Sequence, residues 1–228
     1  CESLTDNAGG HCSWQYDNGL CVSSSTIARE PVLIVPGILG TEMKKGDELL
    51  WANILSMLTS VSDSFMDPLQ FKSELTPLDT ELSIANLVGE PFPGWHYSDL
   101  LINEFKNQGY IENETLFTFP YDWRYGVSGK YADGSTNVDK LNQKIQEILT
   151  QTGSSKVNVI AHSTGGLLVK KYVVDNPADH HIGKAVFVGV PNLGAPKAVK
   201  VLLQGDNFNI TGLNDEEIKK IAENMPVA

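Results

Sequence analysis

One stretch leaves this chain little freedom: Lys156-Val-Asn-Val-Ile-Ala-His-Ser163-Thr-Gly-Gly-Leu-Leu-Val-Lys-Lys-Tyr172. Its first half is apolar and β-branched and its second half follows a helical pattern. Between them stands a serine flanked by small residues. A strand that becomes a helix at a single serine is the nucleophile-elbow arrangement, G-x-S-x-G, with Ala161 in the first glycine place. The turn is so tight that bulky side chains two positions either side of Ser163 would collide. Ala161 and Gly165 keep that space open, and Gly166 permits close packing of the helix. Ser163 is thus expected in a strained conformation with its hydroxyl clear of the sheet. The helix N-terminus behind it favours negative charge forming on a bound group. Ser163 is the expected nucleophile; the alternative, a structural serine, does not account for the strand before it and the helix after it.

Three more apolar runs read as strands: Pro31–Gly37, Thr115–Tyr121 and Lys184–Pro191. Helical patterns lie between them. The clearest takes Asn137 as N-cap and repeats apolar residues at Val138, Leu141, Ile145, Ile148 and Leu149. Another runs from about Tyr97 to Asn107, and a third from Thr164 to about Asp175, ending before Pro177. Continuous apolar strands alternating with helices predict an α/β fold, a mostly parallel sheet with helices on both faces. Residues 41–93 break this rhythm as an insertion between a strand and its helix, carrying Met43, Trp51, Leu55, Met57, Leu58, Phe65 and Met66. Insertions of this length are usually functional lids or caps. Exposed Met and aromatic residues would let this one meet a lipid surface or roof an acyl pocket. A small packed subdomain with ordinary core residues is an equal reading.

A net charge of -11 argues against a phosphate-seeking nucleic-acid surface. No apolar run approaches the roughly 20 residues of a membrane-spanning helix. The chain opens at Cys1 with no initiator Met or signal-peptide pattern, as a processed form or a fragment would. Residues 1–29 form a polar leader holding all three cysteines, Cys1, Cys12 and Cys21; residues 30–228 form the core. Clustered cysteines in a loop-like stretch point to disulfide pinning and a secreted or extracytoplasmic location. A metal site with His11 and a lipid-modified Cys1 are the competing readings, although C-x-x-C spacing is lacking. Asn113-Glu-Thr115 and Asn209-Ile-Thr211 match the glycosylation sequon at a frequency chance would give. No cofactor and no metal is implied by the chemistry below.

Acyl transfer needs donors for an oxyanion, each typically worth about 3 kcal/mol of barrier. One is the backbone N–H of Thr164. The second is expected from Pro36-Gly37-Ile38-Leu39-Gly40, where Gly37 lets the backbone turn so that the Ile38 N–H points into the site; the alternative is an ordinary Pro-Gly turn. The general base is harder to place among five histidines. Strand alternation turns His162 away from the serine. His180 and His181 follow a helix leading away from it, about 18 Å off, and His11 sits in the leader. His96 lies at the correct edge of the sheet, as does Asp122. A triad of Ser163, His96 and Asp122 would break the Ser, Asp/Glu, His order of this fold. The favoured expectation is a chain truncated on its C-terminal side, ahead of its acid and base, and close to inactive alone.

Taken together, these residues resemble the lecithin:cholesterol acyltransferase-like family of α/β-hydrolases, which includes phospholipid:diacylglycerol acyltransferases and lysosomal phospholipase A2. The resemblance runs from about Pro31 to the C-terminus. It rests on Pro31-Val-Leu-Ile-Val-Pro-Gly-Ile-Leu-Gly-Thr41, Gly109-Tyr110, Pro120-Tyr-Asp-Trp-Arg124, Ala161-His-Ser-Thr-Gly-Gly166 and Gly189-Val-Pro-Asn-Leu-Gly-Ala-Pro196. Trp51 resembles the family's lid-loop tryptophan, although the cysteines that often flank it are lacking, and the cysteine-bearing leader is not a family feature. The family's aspartate and histidine lie beyond Ala228. Asp122 and Arg124 are read as a structural pair supporting the site. The resemblance implies a serine-dependent lipid acyl hydrolase or O-acyltransferase, taking a phospholipid or neutral lipid ester at a membrane or lipid surface. A carboxylesterase or peptidase of the same fold and a non-catalytic lipid-binding remnant are the alternatives.

Overall fold

The structure, a computed structural model, describes residues 12–14, 21–23, 29–53, 56, 63–72, 75–91, 94, 96–208 and 213–226. Cys1–Glu30 and Pro31–Ala228 form two compact units. In the first, β1 (Cys12–Trp14) and β2 (Cys21–Ser23) pair antiparallel. The pairing of the three cysteines, a role for His11 and the Asn209 sequon lie outside the described residues.

The second unit is organised on β3 (Val32–Val35), four apolar residues that are all buried. β3 is flanked by β7 (Leu116–Thr118) and β8 (Val157–His162), and β9 (Ile182–Val188) pairs with β8. All three pairings are parallel. Side chains alternate between the faces. Leu33, Val35, Val157 and Val159 join a core with α2 (Asn137–Thr152) and α3 (Thr164–Asp175) through Leu141, Ile145, Leu168 and Tyr172. Val32, Ile34 and Ile160 meet Ile102 and Phe105 of α1 (Asp99–Asn107) on the other face. The parallel sheet covered by helices on both faces is therefore present.

Two boundaries differ from the sequence reading for identifiable reasons. The cap of α2 is Thr136, whose hydroxyl accepts from the Asp139 N–H at 3.2 Å while the Asp139 carboxylate accepts from the Thr136 N–H at 2.8 Å. Asn137 is instead fully buried, its amide donating to the carbonyls of Asp122 and Gly126, both at 2.9 Å. α1 begins at Asp99 rather than Tyr97, because the Tyr97 N–H and the Ser98 hydroxyl donate to the Gly89 and Val88 carbonyls.

The insertion contains a three-stranded antiparallel sheet of β4 (Thr41–Lys45), β5 (Glu48–Trp51) and β6 (Leu82–Leu87), with β4 central. A 3-10 turn, Asp63–Leu69, adds to it. The expectation of exposed Met and aromatic residues is corrected for Met43, Trp51 and Met66, which are at most 6% exposed and join the core of the main sheet. Leu55, Met57 and Leu58 lie outside the described residues. Arg124, only 2% exposed, forks onto both Asp122 oxygens at 2.9 and 2.7 Å and donates to the Leu69 carbonyl, joining the 3-10 turn to the end of β7. Two helices that the pattern did not reveal complete the unit, α4 (Pro196–Gln204) and α5 (Asp215–Ala222).

β9 behaves differently from the inner strands. Only Ile182 is buried; Val186, Phe187 and Val188 are 54, 42 and 47% exposed. Among the described residues its outer edge has no partner strand. An apolar open edge is a template for another strand. Val186→Lys should therefore reduce concentration-dependent association of the chain, read by light scattering, while leaving far-UV circular dichroism unchanged. Arg124→Ala, which strands the Asp122 carboxylate, should cost about 3–5 kcal/mol in urea unfolding.

Candidate active site

β3 and β8 run side by side to their carboxyl ends, where Val35 pairs with Ala161. There the two chains leave the sheet in different ways. The β8 chain turns straight into α3 through Ser163, which takes φ 52° and ψ −127°. A positive φ in a non-glycine residue is strained and persists only where its surroundings over-determine it. Here the Ser163 N–H donates to the Val188 carbonyl at 2.9 Å and its carbonyl accepts from the Gly166 N–H at 3.0 Å. A Cβ on Gly165 would lie 2.8 Å from the Val35 carbonyl oxygen and closer still to that of Pro36. Ala161 is fully buried. Both small residues are thus required by contact with their surroundings.

The β3 chain turns through Gly37, Ile38 and Leu39 and passes directly over the serine: a Cβ on Gly37 would fall 2.7 Å from Ser163 Cβ and 3.2 Å from its Oγ. Three aromatic side chains hold this loop. The Tyr121 hydroxyl donates to the Pro36 carbonyl at 3.1 Å, and Trp51 Nε1 donates to the Leu39 carbonyl at 2.7 Å. The Gly37 N–H donates to the Tyr97 hydroxyl at 3.3 Å. Among the described residues nothing accepts from the Ile38 N–H. Thr164 is the first residue of α3, so its N–H lies among the four that a helix leaves unpaired. Its Oγ1 is buried. Burial also holds the Tyr121 phenol well above its usual pKa, so the ring stays neutral.

Ser163 opens onto a cavity of about 420 Å³, within the size range of small-ligand pockets. Its walls are almost wholly apolar. Trp51, Met66 and Leu69 come from the insertion, Val201 and Leu202 from α4, and Ile218 and Ile221 from α5. Ile38 and Thr164 line it beside the serine. The structure therefore brings Ser163, Ile38, Thr164 and Trp51 to one place.

The histidines are not brought to the serine. His96 Nδ1 lies 2.6 Å from Asp99 Oδ2, and its Nε2 lies 3.9 Å from Glu90. Asp122 gives both oxygens to Arg124, so Ser163, His96 and Asp122 form no hydrogen-bonded triad. His180 and His181 sit at the opposite end of β8, where the His181 carbonyl accepts from the Val157 N–H. His162 turns to the α1 face, with Nδ1 3.2 Å from the Tyr97 hydroxyl. Sequence reasoning missed Tyr97 and the α4–α5 wall. Pro196 at the first turn of α4 and Asn214 before Asp-Glu-Glu at the start of α5 were usable signals for that wall.

A family model described as lecithin:cholesterol acyltransferase matches residues 81–227. Among curated relatives, "Lecithin-cholesterol acyltransferase-like 4" of Arabidopsis thaliana is 29% identical over 208 residues, 78% of this chain and 37% of the relative. "Phosphatidylcholine-sterol acyltransferase" of Mus musculus is 31% identical over 127 residues, 54% of this chain and 28% of the relative. "Lysosomal phospholipase A and acyltransferase" of Bos taurus is 23% identical over 229 residues, covering 84% of this chain and 54% of the relative. The chain thus spans between about a quarter and a half of the length of these relatives.

The crowding at the elbow has a direct stability consequence. Gly165→Ala forces a methyl against two backbone carbonyls and should cost about 1–3 kcal/mol. Gly89→Ala places its methyl an ordinary 3.7 Å from Asp99 Cβ and should cost under about 1 kcal/mol. Chemical denaturation of the two variants measures the difference.

Proposed function

Because this chain belongs to the lecithin:cholesterol acyltransferase family, we propose that Ser163 is the nucleophile of a lipid acyl hydrolase or O-acyltransferase acting on a phospholipid or related ester. The observation that carries this reading is the strained serine at the mouth of an apolar cavity. One acyl chain of the substrate lies in the cavity, with its ester carbonyl over Ser163. Each methylene moved from water to such a wall contributes roughly 0.8 kcal/mol. Trp51 forms part of that wall, together with Met66 and Leu69.

Ser163 Oγ attacks the carbonyl carbon, and the oxygen that becomes negative accepts from the Ile38 and Thr164 N–H groups. α3 points its positive end at the same oxygen. The carbon–oxygen bond to the alcohol breaks, the alcohol leaves with a proton, and the acyl group remains on Ser163. Water or a lipid alcohol then takes the acyl group. Among the described residues no histidine is bonded to Ser163, so the base that accepts its proton is supplied from outside them. A lipid or membrane surface is the partner, and no helix among the described residues is long and apolar enough to cross a membrane. The cysteine-bearing leader and a lysosomal relative favour a secreted or otherwise extracytoplasmic location.

The test is covalent labelling of the protein with a fluorophosphonate. Ser163→Ala should abolish labelling and ester cleavage together. A labelled Ala variant means that another residue is the nucleophile.

A further inference from the structure

Of the three side chains that hold the loop after β3, Tyr97 also reaches the residue before Ser163. Tyr97 precedes α1 and packs against the cavity-side core, and His162 projects from the end of β8 toward Tyr97. Their rings meet edge to face at 5.6 Å. The Tyr97 hydroxyl lies 3.2 Å from His162 Nδ1 and 3.3 Å from the Gly37 nitrogen. The backbone around Tyr97 is anchored, its N–H donating to the Gly89 carbonyl at 2.8 Å while the neighbouring Val88 N–H donates to the Gly40 carbonyl at 3.0 Å. The side chain is wedged over the loop so closely that a Cβ on Gly40 would fall 2.5 Å from its hydroxyl.

We propose that Tyr97 is a positioning residue for acyl transfer, tying the Gly37 N–H of the oxyanion loop to His162 beside the nucleophile so that loop and elbow hold one spacing. The proposal rests on the reading of Ile38 as an oxyanion donor, since Gly37 N–H is one peptide away from it. The hydrogen-bond directions fit together. Gly37 N–H can only donate, so the phenol oxygen accepts from it and its proton is available to His162 Nδ1. A hydroxyl that donates to an imidazole is polarised and accepts more strongly from a third group. Partial burial lowers the His162 pKa, which favours the neutral ring that this direction needs. Burial raises the Tyr97 pKa, with the Gly37 N–H opposing it, so the phenol keeps its proton.

As pH falls and His162 gains a proton on Nδ1, both groups facing the Tyr97 oxygen become donors, and the contact to Gly37 weakens. Tyr97 is the titratable group that faces His162 from the segment before α1; from the segment after β9 it is faced by Gly189. The acidic groups nearest in sequence to Tyr97, Glu90 and Asp99, are paired with His96.

Proton–nitrogen NMR of the protein across the His162 titration tests the link without relying on turnover. The Gly37 and Ile38 amide signals should move with the midpoint of the His162 ring, and Tyr97→Phe should uncouple them while keeping the fold. His162→Gln, which keeps an acceptor but cannot titrate, should remove the pH dependence of the Gly37 signal. In the active protein, Tyr97→Phe should lower kcat about tenfold at unchanged KM. Amides that ignore the His162 midpoint, or that follow it equally in Tyr97→Phe, overturn the proposal. Equal effects on kcat and KM also overturn it. Failure of the nucleophile reading shows separately, as labelling that survives Ser163→Ala.

Discussion

Two backbones come closer at this site than side chains would ordinarily permit. β3 and β8 are neighbours in a parallel sheet, and both end at the same level, with Val35 against Ala161. The first turn of α3 then lies against the Val35 and Pro36 carbonyls, and the loop after β3 lies against Ser163. Neither approach survives a Cβ at Gly165 or Gly37. The strained φ of Ser163 and the close approach of the loop after β3 to it belong to this crowding. Parallel pairing supplies it cheaply, because strands of equal direction deliver their carboxyl ends to one edge.

Trp51, Met66 and Leu69 of the insertion serve this edge from within the core. Trp51 packs edge to face on Trp123 with ring centroids 6.2 Å apart, gives its N–H to the Leu39 carbonyl and presents surface to the cavity. One side chain therefore joins the β4–β5 hairpin, the loop over the serine and the cavity wall. The Asp122–Arg124 pair makes a similar link from the other side, through the Leu69 carbonyl to the 3-10 turn that carries Met66. A buried ion pair contributes little net stability compared with an apolar substitute. What this one does is fix which backbone segments meet.

The parts of this arrangement that were legible in the sequence share a physical basis. Val32–Val35 is apolar because both of its faces are covered, and a run of that kind reads as an inner strand without any knowledge of its neighbours. The elbow is legible because its steric demand falls on residues within two positions of Ser163. Asn137 misled because asparagine is both a good cap and a good bridge between carbonyls, and only the fold shows that Asp122 and Gly126 stand where its amide can reach them. Met43, Trp51 and Met66 read as exposed because no strand rhythm marked the surface against which they pack. Tyr97 and His162 are 65 residues apart, and neither carries a local pattern that names the other.

The central place of β3 has a consequence for how the chain comes to be folded at all. Its residue Val32 has register partners at Leu116 and Asn158, so the strand made first in this unit waits longest for its second neighbour. At roughly 5–20 residues per second of synthesis, Val-Leu-Ile-Val waits on the order of ten seconds before its second neighbour exists. During that interval four consecutive apolar residues have no sheet to enter. The antiparallel β4–β5 hairpin, which closes from adjacent sequence, has no such delay. A nascent chain of this kind carries an apolar, strand-forming segment well ahead of the residues that shield it, and what covers Val32–Val35 in the meantime bears on its yield in a cell.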